Sequence, residues 1–188
     1  MKDYILEILS KYEENIQDDI IKKIKINKLK NIVENWNDSY DTLLEQLPEL
    51  LNSVDITDEL NSLKLQYIEK LRNNTNEYIY KYVPIYRQIN FTSAKINAKF
   101  IFDYSSDDTV KNNTKTILQK IRDTELWITQ IVGKFYYLSN LIMNANTISE
   151  IENIYNTWET EYDSVTKPNF IESKDINYIQ QAWFNLNF

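Results

Sequence analysis

From Tyr4 onward apolar side chains recur at Ile5, Ile8, Leu9, Tyr12, Ile16 and Ile20, with Glu13, Glu14, Asp18 and Asp19 set between them. Steps of three and four residues put such positions on one face of a helix, so the spacing predicts an amphipathic first helix reaching Ile20. Ile26, Leu29, Val33, Trp36, Tyr40, Leu43 and Leu47 carry the same steps onward without a break, which predicts a heptad seam of about three repeats. A third helix is expected from Thr57-Asp58-Glu59, whose acidic first turn suits the positive end of the helix dipole, through Leu60, Leu63, Tyr67 and Leu71. Pro84 should kink or divide it. Ser105-Ser106-Asp107-Asp108 combines a break with N-cap residues. Beyond it Val110, Thr114, Ile117, Ile121, Ile128, Ile131, Phe135, Leu138 and Ile142 mark a long fourth helix. Thr147-Ile148-Ser149-Glu150 has the form of a capping box, opening a fifth helix with Ile151, Tyr155, Trp158, Tyr162 and Val165. Ser173 or Asp175 would cap a last helix ending near Phe188. Between Ile85 and Tyr104 the run Phe100-Ile101-Phe102 has strand character, but Ala94, Lys95, Ala98 and Lys99 favour helix. The expected fold is all-α, an elongated bundle of five to six amphipathic helices with coiled-coil-like seams.

Residues 31–41 and 153–163 align at a constant offset of 122 positions, sharing Asn, Ile, Trp, Tyr and Asp at equivalent places. After a two-residue gap Pro48, Ser53, Asp55 and Ile56 find counterparts in Pro168, Ser173, Asp175 and Ile176. Upstream only the apolar pattern persists, with Ile5, Leu9, Ile16 and Ile20 set against Trp127, Ile131, Leu138 and Ile142. The pattern implies an internal duplication within one helical domain over 1–188: related units at 1–66 and 123–188 around a central insert at 67–122. Trp36 and Trp158 are then expected in equivalent buried places.

Composition changes the picture mainly by what it removes. The 188 residues contain no Cys, no His and a single Gly, Gly133. Without thiol or imidazole there is no zinc site of the usual donors, no thiol nucleophile and no imidazole base. One glycine cannot build a phosphate-cradling loop. Carboxylate groups such as Glu159, Glu161 and Asp163, or Glu13 and Glu14 with Asp18 and Asp19, lack a paired spacing for a divalent cation and read as solvated helix faces. The expectation is a protein that is not an enzyme, with no cofactor, no metal and no catalytic residue.

Formal net charge is −7, distributed as −6 over residues 1–66, +5 over 67–122 and −6 over 123–188. That layout suits internal complementarity or partners of opposite charge. Tyr78, Tyr80, Lys81, Tyr82, Tyr86 and Arg87 interleave rings with cations, as nucleic-acid platforms do, yet the net acidity argues against nucleic acid. Four of these, Tyr78, Tyr82, Tyr86 and Arg87, remain candidate protein-binding residues. The other candidates are Trp183, Phe184, Leu186 and Phe188, because three aromatics in the last six residues should be docked on the bundle or on another chain. The reading that results is a non-catalytic protein-binding or assembly module, a scaffold, adaptor or virion-type component, with a protein partner or self-association. The alternative is a small acidic inhibitor, phage-encoded, that occludes a basic site on a target. The Ile-, Asn-, Lys- and Tyr-rich composition fits AT-biased coding. Met1 to Glu7 carries acidic residues where a secretory leader needs an apolar core, so a cytoplasmic or virion-associated location is expected. The most apolar stretch, Trp127 to Met143, is too short and too polar to span a membrane.

Overall fold

The structure is a computed structural model that describes residues 2–16, 20–37 and 39–186. Of the described residues 84% are helical and none lies in a strand, which makes the protein all-α. Nine helical segments occur among them: α1 (Lys2–Glu14), α2 (Ile20–Glu34), α3 (Tyr40–Ser53), α4 (Thr57–Tyr82), α5 (Ile85–Tyr104), α6 (Asp108–Asn144), α7 (Ile148–Asn156), α8 (Trp158–Asp163) and α9 (Ser173–Phe184). No described helix is long and apolar enough to cross a membrane.

The helix count exceeds five to six because three predicted helices are divided. The first ends at Glu14 and Ile20 begins α2, so Ile5 and Leu9 are buried while Tyr12 and Ile20 are exposed. The predicted seam from Ile26 to Leu47 breaks after Glu34, and the Trp36 indole donates to the Ser39 carbonyl at 3.2 Å in the connection. The fifth helix breaks at Thr157, which separates α7 from α8. An unbroken three-and-four pattern is compatible with a straight helix and with two helices folded back on each other; in α1–α2 and α2–α3 the second arrangement buries the shared apolar face without another partner.

The local stop and start signals are legible in the bonds they make. Pro84 stands as the N-cap of α5 and divides it from α4. The Asp107 carboxylate accepts from the Thr109 and Val110 amides at the start of α6. Thr147 and Glu150 form the reciprocal capping box at 3.2 Å in each direction. The last helix departs from expectation: its cap is Glu172, and Asp175 closes the box from the third helical position.

Contacts divide the chain into two compact units, residues 1–66 with 143–152 and residues 67–142 with 153–188. The first has a core of Ile5, Leu9, Ile26, Leu29, Val33 and Leu43, overlaid by Leu6, Ile16, Ile32, Trp36, Tyr40, Leu47, Leu50 and Leu51. Lys30 of α2 pairs with Glu13 of α1 at 2.6 Å, and Lys28 reaches Glu59 at 2.7 Å. In the second unit α6 supplies the axis, burying Thr114, Ile117, Ile121, Thr124, Trp127, Ile131, Phe135, Leu138 and Ile142. Also buried in this unit are Leu71 and Tyr78 of α4, Val83 just after it, Phe91, Ala94, Ala98 and Ile101 of α5, and Tyr162, Ile171, Ile176 and Ile179. Trp127 takes the inward place that the heptad spacing assigned to Ile128, which is half-buried.

The two repeat segments have the same local form up to one point. Both α2 and α7 stop at equivalent positions, Glu34 and Asn156, each followed by a turn residue. Beyond it, Pro48 lies inside α3 whereas Pro168 lies in the non-helical stretch 166–172. Trp36 and Trp158 are both half-buried, not buried as expected.

Candidate protein-interaction surface

In the second unit α4 brings Tyr78 and Tyr82 one turn apart, and they meet edge-on at 5.4 Å. Trp127 of α6 lies against both, stacked on Tyr78 at 6.0 Å and edge-on to Tyr82 at 5.6 Å. Phe170 closes one side, 4.9 Å from Trp127 and 5.7 Å from Tyr82, and Tyr162 with Trp158 closes the other. The cluster is therefore mostly a packed aromatic core, the arrangement that edge-to-face and offset stacking favour.

Its polar edges are tied down. The Tyr78 hydroxyl donates to Asp163 at 2.6 Å, and Lys167 donates to the same carboxylate oxygen at 2.8 Å. The Lys167 ammonium also stands over the Tyr82 ring at 4.9 Å. Burial, and then the bond to Asp163, push the Tyr78 hydroxyl up to about 12. The hydrogen bond from Lys167, and then that from Tyr78, holds the Asp163 carboxyl below its usual range; Asp163 in turn raises Lys167. Tyr162, raised by burial, shares a 2.6 Å hydrogen bond with Thr75, whose hydroxyl is committed to the Leu71 carbonyl, so the tyrosine is the donor. These groups hold α4, α8 and the following loop together, and their hydrogen-bonding capacity is used within the protein.

Tyr86 and Arg87, the other two of this candidate set, sit at the start of α5, outside the cluster. Tyr86 is exposed, with its hydroxyl 3.5 Å from Ser173 and the Arg87 guanidinium over its ring at 5.7 Å. Arg87 is half-buried beside an open cleft of about 560 Å³ lined by Tyr82, Phe170, Glu172 and Lys174. The structure thus places Tyr78 and Tyr82 in the aromatic cluster and Tyr86 and Arg87 outside it.

The C-terminal candidates lie on α9, which runs beside α5. Trp183 is half-buried and meets Phe100 edge-on at 5.0 Å. Phe184 is 81% exposed, so this ring is not docked on the bundle: the helix turns Trp183 inward and its neighbour outward. Leu186 lines a cleft of about 580 Å³ with Tyr104, Val110, Tyr178 and Ala182. Phe188 lies outside the described residues.

The start of α9 is anchored by a nearly buried ion pair in which Lys120 of α6 reaches both oxygens of Asp175, at 3.0 and 3.1 Å. The Ile171 amide donates to Thr124 just upstream. Among the described residues no group of three or more acidic side chains converges as a metal site requires. Trp127, Tyr162, Lys167 and Phe170 were missed as neighbours of Tyr78 and Tyr82 because they lie 45 to 89 positions away in the chain. Comparison with known proteins finds no matching family model, no similar curated protein and no similar solved structure.

Proposed function

We propose that this all-α chain is a non-catalytic protein-binding or assembly module. The observation that carries the reading is the tip of α9: Phe184 stands almost fully in solvent next to the cleft that holds Tyr104, Val110 and Leu186. An exposed large ring is the usual form of an interface anchor, since aromatic side chains dominate binding energy where they can be buried by a partner. The hydroxyls of Tyr78 and Tyr162 at the edges of the aromatic core are engaged with Asp163 and Thr75, which leaves them a structural task.

Phe184→Ser tests it. The variant should keep its melting temperature, because the ring buries little, while chain immobilised on a surface loses the proteins that wild type retains from source-cell extract. Equal retention by both chains would defeat the assignment to this tip. The acidic-inhibitor reading is favoured by α3, where Asp41, Glu45 and Glu49 are all exposed at successive four-residue steps. Loss of partner capture between about 50 and 500 mM salt, with no effect of Phe184→Ser, would select that reading instead.

A further inference from the structure

α5 is apolar on two opposite faces. Phe91, Ala94, Ala98 and Ile101 point into the core. On the far side Ile85, Ile89 and Ile96 are 54%, 72% and 63% exposed, with exposed Thr92 between the last two. At 100° per residue these four positions fall within about 60° of arc, roughly opposite the buried set. The flanks of α5 are occupied: α9 lies along one through Phe100–Trp183 and Tyr86–Ser173, α6 along the other through the Lys95–Glu125 pair at 2.6 Å. The isoleucine stripe therefore crests the layer that these helices form, with four-three-four spacing, the period of a two-stranded coiled-coil seam.

We propose that this stripe is a self-association face, on which a second copy of the chain packs α5 against α5 antiparallel. The pattern is self-complementary in that orientation. Ile85 faces Ile96 of the second copy and Ile89 faces its Thr92, so a two-fold axis near residue 90 engages all four positions twice. At the flanking positions Gln88 meets Lys95 of the second copy and Tyr86 meets its Ser93, so no two like charges oppose each other. Charge also selects this face. Copies of a chain with net charge −7 repel one another, yet the cations of α5 next to the stripe are balanced locally, Lys95 by Glu125 and Lys99 by Asp103. The exposed parts of these side chains with Tyr86 amount to roughly 500 Å² per copy, about 1,000 Å² for the pair, the lower limit of a specific interface. A weak dimer follows, with Kd of about 1–100 μM. The inference gives the binding-module reading a partner, but it rests on α5 and not on the α9 tip.

Because the chain has no cysteine, introduced ones report on pairing without background. Within one chain positions 85 and 96 are about 16 Å apart along the helix, too far for a disulfide. Oxidised Ile85→Cys/Ile96→Cys chain should run as a covalent dimer, while each single variant stays monomeric on a denaturing gel. Sedimentation equilibrium should show reversible dimerisation of wild type, weakened at least about 100-fold by Ile89→Lys because the two-fold axis counts the change twice, with the melting temperature of dilute protein unchanged. Phe184→Ser should leave the dimer intact. Wild type that remains monomeric to about 200 μM overturns the proposal, as does cross-linking of the single variants, which would mean parallel pairing. Dimerisation abolished by Phe184→Ser but not by Ile89→Lys also overturns it. In the first two cases the α9 reading stands or falls on its own test.

Discussion

Trp127 is the largest fully buried side chain, and two substitutions separate its contributions. It is 1% exposed, touches Tyr78, Tyr82 and Phe170, and its indole nitrogen is buried with no hydrogen-bond partner among the described residues. Trp127→Ala removes the apolar burial and leaves a cavity among three rings, so unfolding free energy should fall by about 3–5 kcal/mol. Trp127→Phe keeps one ring in place. Its smaller size leaves a void of roughly 40 Å³, a loss of about 1 kcal/mol, while deletion of an unpartnered N–H relieves about 1–3 kcal/mol of desolvation. The phenylalanine variant should therefore lie within about 1 kcal/mol of wild type. Urea titrations followed by far-UV circular dichroism measure both. Trp36→Phe, which removes the bond to the Ser39 carbonyl in the other unit, serves as a comparison expected to cost about 1 kcal/mol. If Trp127→Phe costs as much as Trp127→Ala, the indole nitrogen has a partner of real strength and the account of this core is wrong.

The remaining expectations concern backbone, an ion pair and pH. Gly133 lies within α6, and a Cβ built on it meets nothing within 4 Å, so Gly133→Ala should stabilise by about 0.5–1 kcal/mol; a destabilised variant would mean that the position is crowded. Lys120→Ala strands the nearly buried Asp175 carboxylate at the α9 cap and should lower stability by about 2 kcal/mol, with Lys120→Ala/Asp175→Asn recovering part of it; full additivity of the two changes would refute the pairing. Tyr78 and Tyr162 hold their protons more tightly in the native state than tyrosines in the unfolded chain, which ionise near 10. The contribution of both is complete below that pH; that of Tyr78 is lost as pH rises through about 12, so urea midpoints should drop across this window and drop less in Tyr78→Phe. Equal slopes in the two proteins would contradict the burial of that hydroxyl.

For the candidate binding residues, local spacing does not say which side chains face the protein and which face water. An apolar chain end pointed to α9, yet Trp183 and Phe184 are adjacent and indistinguishable in kind; which faces Phe100 and which faces water depends on where α5 lies. Tyr78, Tyr82 and Tyr86 share one pattern, and Pro84 turns the chain between them so that two join a core and the third stays at the surface. The outward isoleucines of α5 gave no separate signal, because isoleucine suits an inner and an outer face equally until the core side is known.

What the sequence determined by itself is whatever acts within about one helical turn. The capping bonds of Asp107 and of Thr147 with Glu150, the stop at Pro84 and the course of α6 all follow from groups three or four positions apart. The tertiary structure decided where an uninterrupted apolar rhythm folds back, after Glu14 and after Glu34, and which ring fills the second core. It chose Trp127 over Ile128 because Tyr78, Tyr82 and Phe170, from elements distant in the chain, converge on that side of α6. Helix formation responds to neighbours along the backbone, whereas burial is settled by what stands opposite, and no local spacing carries that information.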